Sequence, residues 1–310
     1  MTPRPSDFAH CEDVTQAGDI ARTDRMGYAV LPVAILCIAS SSILHRFTSG
    51  HPVSVAGWRC ALAAAILILW PATRKGLGTI SRADLLRSTL AAILIALHFG
   101  TWIGSLRLLP VSVSILLVNT HPVFVLLFRA LGGERPSRHE VIGVGLSLLG
   151  IVLMQDWTGS MPRSFLAGSF LAIAGAATLA GYLVAGDSVR QRVRTPTYLF
   201  VVYTIAALCL FTSLTLTGYS FAPPSVKEFS LYMAIAVIPT LGGHGLFAFA
   251  LGHVRSVIVA MAFLAEPILA TLLAIPIFHE IPSPRIIFGG ALILSGLALV
   301  TLRNSPSSSS

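Results

Sequence analysis

Charged residues make up only 11% of the 310, so an ionisable side chain inside an apolar run is a candidate for chemistry. Glu266 lies within AMAFLAEPILATLLAIPIF, where a carboxylate is costly unless it is paired, hydrated or protonated. A group there that exchanges a proton suits proton coupling; a fixed hydrogen bond in the protonated form is the plainer alternative. His98, His121 and His244 also fall inside apolar runs, His98 and His244 being 146 residues apart. A lone deep histidine is commonly a satisfied packing residue, but recurrence at one offset strengthens the reading as a binding site. Arg59 stands about 9 Å along its segment from the nearer end at 1.5 Å per residue. It either snorkels outwards or offers its planar fork to a substrate carboxylate. Trp102, Asn119, Tyr182 and Phe247 would add stacking faces and an amide to such a binding site, although aromatics at helical spacing also serve as packing.

Two dipeptides set the depth of these groups. His121-Pro122 and Glu266-Pro267 each fall at the middle of an apolar segment. A proline lacks an N–H and crowds the carbonyl four residues earlier, so Pro122 and Pro267 are expected to kink their helices and free the Val118 and Phe263 carbonyls. Freed carbonyls at bilayer depth need a polar neighbour or a water-lined cavity.

Catalytic signatures are missing. The sequence holds no H-E-x-x-H, G-x-S-x-G or phosphate-binding loop, so no catalytic residue is assigned and no enzyme is expected. Cys11, Cys37, Cys60 and Cys209 are scattered, with no C-x-x-C and no histidine at metal spacing. No metal and no cofactor are therefore expected. Asp187 precedes Arg190 by three residues and reads as its interfacial ion-pair partner.

The elements that must hold these groups are helices in a bilayer. Apolar residues reach 55% and the mean hydropathy is +0.81, which marks an all-α, polytopic integral membrane protein with the lipid bilayer as its surroundings. Ten stretches approach the ~20 residues needed to cross: 27–45, 53–72, 85–106, 110–130, 139–155, 165–186, 197–219, 229–251, 255–279 and 285–302. Before them, residues 1–26 read as a disordered cytoplasmic tail without a cleavable signal, and residues 303–310 as a Ser-rich one. The net charge of +8 comes from arginines between apolar runs, which excludes a nucleic-acid face.

The chain is also duplicated. SLRLLPVSVSILLVNTHP aligns without a gap on ALGHVRSVIVAMAFLAEP at an offset of 145, and Glu134, Gly143 and Gly150 match Glu280, Gly289 and Gly296 at 146. Two five-helix repeats follow, at 27–155 and 165–302. An odd number of spans per repeat makes them inverted, an arrangement common in secondary transporters. Fifteen Lys and Arg fall on one set of loops and termini against five on the other, which places both termini on the cytoplasmic side. The reading is a secondary transporter of a small-molecule substrate by alternating access, in a plasma membrane of the bacterial inner-membrane kind. A non-transporting sensor, or an enzyme on a lipid-soluble substrate, is the alternative. Monomer and homodimer both remain open.

Gly57-Trp58-Arg59, Ser105-Leu106 before Pro110, HPVFVLLFRALGGERPS and GVGLSLLG in the first half, with GGHGLFAFALGHV, AEPILATLLAIPIFHE and GGALILSGLAL in the second, resemble the drug/metabolite transporter superfamily. The resemblance is to its ten-helix members built from two EamA-type repeats. It implies a central cavity surrounded by helices 1–4 and 6–9, with helices 5 and 10 outside, and export or exchange of amino acids, related metabolites or drugs. It also implies that Arg59 and Glu266-Pro267 belong to the family's pattern. Glu134 and Glu280 would cap the fourth and ninth helices. His121 and His279 depart from that pattern, which more often has an uncharged and a small residue there.

Overall fold

The structure, a computed structural model, describes residues 25–41, 43–45, 47–109, 111–154, 164–220, 222–223, 225–278 and 283–304. The readings of the tails outside 25–304, and of Pro110, His279 and Glu280, lie outside the described residues. The helices are α1 (Arg25–His45), α2 (Pro52–Ile68), α3 (Arg82–Ser105), α4 (Val113–Leu131), α5 (Arg138–Met154), α6 (Phe165–Arg190), α7 (Thr195–Leu216), α8 (Val226–Ala250), α9 (Ser256–Ile277) and α10 (Pro284–Leu302). Each of the ten apolar stretches falls on one of them. Among the described residues, eight are long and apolar enough to cross a membrane. A ninth span arises if α2 is joined to the short helix Pro71–Leu77, which leaves it at 91°. Pro71 starts that short helix and holds Trp70 extended, which ends α2. Helix α5 has 17 residues, the lower end of the spanning range.

Three helices begin at a Ser-x-x-acid signal. Ser81, Ser137 and Ser225 accept the backbone N–H of Asp84, Glu140 and Glu228 at 3.0, 3.2 and 3.2 Å. Glu140 completes a reciprocal box by accepting the Ser137 N–H at 2.7 Å. These caps start α3, α5 and α8, and they satisfy amides that would otherwise be stranded at helix ends.

The halves meet as an inverted pair. On α5 and α10, the sequence repeat equates Gly143 with Gly289 and Gly150 with Gly296, yet the contacts run crosswise. A Cβ on Gly143 would stand 2.8 Å from the Gly296 carbonyl, and one on Gly289 2.5 Å from the Gly150 carbonyl. Equivalent helices therefore lie antiparallel about a pseudo-twofold axis, as a self-complementary contact requires. The same holds for α4 and α9: Arg129 near the end of α4 meets Ser256 at the start of α9, and His121 meets Ala260. Small residues at such crossings let backbones touch where lipid supplies no hydrophobic drive between helices. The bundle exterior carries exposed Leu86, Leu166, Phe170 and Leu216, as a lipid-facing surface would. By contrast, every residue of Ser256–Phe263 is buried.

Three irregularities sit at equivalent depths. Helix α4 is interrupted at residues 119–120 and α9 at 264–265, immediately before the paired His-Pro and Glu-Pro. Helix α8 contains a π-helical stretch, Ala236–His244, with Pro239 inside it. Irregular backbone at membrane depth persists where protein or a cavity satisfies it.

Candidate functional site

The interruptions in α4 and α9 surround a cavity of about 410 Å³. His121 opens the second part of α4 and Glu266 the second part of α9, both close to the centre of their spans. The rest of the wall includes Ile38 and Ser41 of α1, Arg59 of α2, His98, Phe99 and Trp102 of α3, Asn119 of α4, Leu179 of α6, His244 of α8, Phe263 of α9 and Ile286 of α10. Of the residues singled out in the sequence, Arg59, His98, Trp102, Asn119, His121, His244, Glu266 and Pro267 line this one space. Pro122 is buried beside it within α4.

Two others stand elsewhere. Phe247 is one layer back, stacked on Phe263 with ring centroids 4.1 Å apart, so it supports the wall. Tyr182 is buried against Tyr198, with Arg190 nearby, toward the arginine-rich end of the bundle. Its phenol serves that packed cluster rather than the cavity. The sequence offered both as stacking faces or as packing, and the structure gives each the packing role.

Arg59 is buried to 4% exposure, so it does not snorkel. Its Nε donates to Thr240 Oγ1 at 2.8 Å, and its guanidinium lies over the Phe99 ring, 5.2 Å from the centroid. Thr240 also donates to the Ile235 carbonyl at 2.8 Å, five residues back, while its own carbonyl accepts the Tyr203 hydroxyl at 3.2 Å. The wide π-helical turn thus brings Thr240 to the arginine, in keeping with the frequent use of such turns at functional positions. Glu266 lies within electrostatic range of Arg59, so the cavity holds one cation and one carboxylate in aromatic surroundings. Sequence reasoning missed Thr240; Pro239 and the Gly242-Gly243 pair within an apolar run were the signals that marked an irregular helix there.

Two of the three imidazoles are tied to backbone. His98 Nδ1 is 2.9 Å from the Gly175 carbonyl, and its ring stacks near Trp102 with centroids 5.9 Å apart. His121 bridges the halves: Nδ1 is 3.3 Å from the Val118 carbonyl and Nε2 3.1 Å from that of Ala260. The carbonyl freed by Pro122 is therefore approached by the neighbouring side chain. His244 packs by its ring on Phe99 and Phe263. Among the described residues, no group of three His, Cys, Asp or Glu is placed to hold a metal ion.

At the arginine-rich end the expected Asp187–Arg190 pair is not formed. Asp187 instead takes Arg129 Nη1 at 2.9 Å and the Ser256 N–H at 3.2 Å. Arg190 turns inward, donating from Nε to the Ala248 carbonyl at 2.8 Å and from Nη2 to Thr195. Proximity in sequence favoured Arg190, but the crossing of α4 and α6 brings a buried arginine from the other half. Glu134 also differs from a simple cap, since it pairs with Arg129 and lies 3.7 Å from Arg255. At the opposite end, in the loop between α1 and α2, burial and the neighbouring Arg107 guanidinium push the His51 imidazole below its usual range.

Comparison with known proteins agrees with this architecture. An uncharacterized transporter of Archaeoglobus fulgidus is 25% identical over 260 residues, spanning 81% of this chain and 88% of that protein. A solved crystal structure superposes with a TM-score of 0.73 at 20% identity, covering 92% of this chain and 99% of the other, which speaks to the fold. The pattern of the EamA-like transporter family matches residues 25–155 and again residues 166–302. With two copies of that pattern occupying nearly all of its helical length, the chain belongs to the EamA-like transporter family, as a multi-pass membrane transporter.

Proposed function

We propose that this membrane transporter is a secondary exporter or exchanger of small amphipathic metabolites, amino acids and related compounds foremost. The observation that carries the reading is the cavity between the halves, in which Arg59 and Glu266 offer opposite charges amid Phe99, Trp102 and Phe263. A zwitterion with an apolar side chain matches that wall in charge and in surface. Its carboxylate suits a guanidinium fork, its ammonium suits a carboxylate, and its side chain suits the rings. The cavity size falls within the range of small-molecule sites.

Alternating access in this reading is a rocking of one repeat against the other about the interruptions in α4 and α9. Glu266 serves as the proton-coupling group, substrate and proton competing for one carboxylate. In this reading the arginine-rich end and both termini face the cytoplasm, a side supported by the distribution of basic loops, and the membrane is a bacterial plasma membrane. A cavity lined by both halves and carrying Arg59 and Glu266 among largely apolar walls weighs for transport over a sensor or an enzyme on a lipid-soluble substrate, for which a solid apolar interior would be the natural build.

The experiment is counterflow. Protein purified and reconstituted in liposomes is loaded with members of a library of amino acids, nucleosides and amines. Saturable exchange of at least one member is expected. Absence of exchange across the library, with single-channel current in its place, would overturn the transporter mechanism.

A further inference from the structure

At the arginine-rich end a second cavity of about 550 Å³ lies between the halves, and beside it three carboxylates share two guanidinium groups. Asp187 is committed to Arg129 Nη1 and to the Ser256 amide. Glu140 is committed as well, only 1% exposed, with Arg255 Nη1 at 2.7 Å on one oxygen and the Ser137 amide on the other. Glu134 is unlike both. Its side chain is 54% exposed, it takes Arg129 Nη2, and Arg255 Nη2 stands 3.7 Å from the same oxygen. It follows Gly133, whose φ of +92° suits a joint that only glycine adopts cheaply. Arg129, meanwhile, is nine-tenths buried at the cavity wall, and its Nε has no hydrogen-bond partner.

A buried arginine whose outer nitrogen is filled by an exposed side-chain carboxylate is a carboxylate site occupied by the protein's own chain. The geometry of recognition is already present, and the occupant is the one acid of the three that can leave without stranding a buried charge. Among the guanidinium contacts, all but Arg129–Glu134 join one half to the other: Arg129 to Asp187 and Ser256, and Arg255 to Glu134 and Glu140. Phe128 and Ile258 supply apolar wall beside the charges. We propose that this cavity is a loading site for the carboxylate of a small metabolite. The incoming carboxylate displaces Glu134 from Arg129 and Arg255, and so releases one of the ties between the halves. Its role in loading rests on the transport reading above; the binding chemistry does not.

The probe is propionate, the free equivalent of the Glu134 side chain, with propionamide as its uncharged counterpart and chloride at equal ionic strength as background. Binding to the full-length chain in detergent is read by titrating thermal stability. Glu134→Gln, which withdraws the internal competitor, is expected to bind propionate at least tenfold more tightly than wild type. Glu134→Asp, whose carboxylate falls one methylene short, is expected to lie between them, and propionamide to shift none of the three. Equal propionate affinity in wild type and both variants, or an equal response to propionamide, would overturn the proposal. Wild-type counterflow separates the two readings. Exchange without any gain in Glu134→Gln removes the loading site alone, whereas a gain without exchange removes transport and leaves the carboxylate site standing.

Discussion

Thr240 shows how much of the cavity depends on one hydroxyl. It holds Arg59 Nε at 2.8 Å and is itself held by the Ile235 carbonyl, so a valine there leaves a buried guanidinium short of an acceptor. Such a loss costs about 1–3 kcal/mol. Thr240→Val is expected to lower the unfolding temperature of the purified protein while Thr240→Ser does not; equal melting of valine variant and wild type would refute the role. Glu266 carries the second residue-scale expectation. Glu266→Gln imitates the protonated acid at nearly constant volume, so pH-gradient-driven accumulation is expected to vanish while downhill exchange persists. Transport with and without an imposed gradient, wild type and variant side by side, checks this, and equal gradient dependence in both would contradict it. At this scale the sequence spoke clearly wherever a residue was out of place: a carboxylate, an arginine and three histidines in apolar runs announced themselves by cost. Tyr182, Phe247 and Asp187 did not, because an aromatic is at home in either role and an ion pair is chosen by helix crossings that no local spacing encodes.

At the scale of elements, the contact of α5 with α10 is a close backbone approach rather than a greasy seam. A Cβ on Gly289 would press on the Gly150 carbonyl at 2.5 Å, whereas one on Gly145, on the same helix as Gly150, meets nothing within 4 Å. Overpacking of this kind costs about 1–3 kcal/mol, while alanine in an open helical position gains up to about 1 kcal/mol over glycine. Gly289→Ala is therefore expected to destabilise the protein and Gly145→Ala to leave it as stable as wild type or more so, as read from parallel thermal melts. Melts lowered equally by both would show that the helices are not in contact at this point. The prolines at 122 and 267 foretold the interruptions in α4 and α9, since a missing N–H breaks a helix wherever it falls. The π-helical stretch in α8 was not foretold, because Pro239 alone does not say whether the chain kinks, breaks or widens. In the structure it widens, and Thr240 within the wide turn meets Arg59 of α2.

Seen whole, the molecule is two repeats of one helical unit that face each other upside down, with one cavity near the centre and another at the arginine-rich end. The repeat offset and the apolar composition made that plan legible in the sequence, because each is a property summed over many residues. The central cavity was expected beside the paired His-Pro and Glu-Pro, whereas the one at the arginine-rich end was not legible, since it depends on where side chains of one half stop short of the other. If the halves rock as proposed, the two ends must move in opposite senses. Spin labels at Leu131 and Gln191 flank the arginine-rich cavity, and labels at Phe47 and Ile287 flank the other end; all four positions are exposed. With the four native cysteines replaced, distances within each pair are measured in liposomes with and without a substrate found by counterflow. The account expects one pair to lengthen as the other shortens when substrate is added. Both pairs moving in the same sense, or neither moving while exchange proceeds, would contradict it.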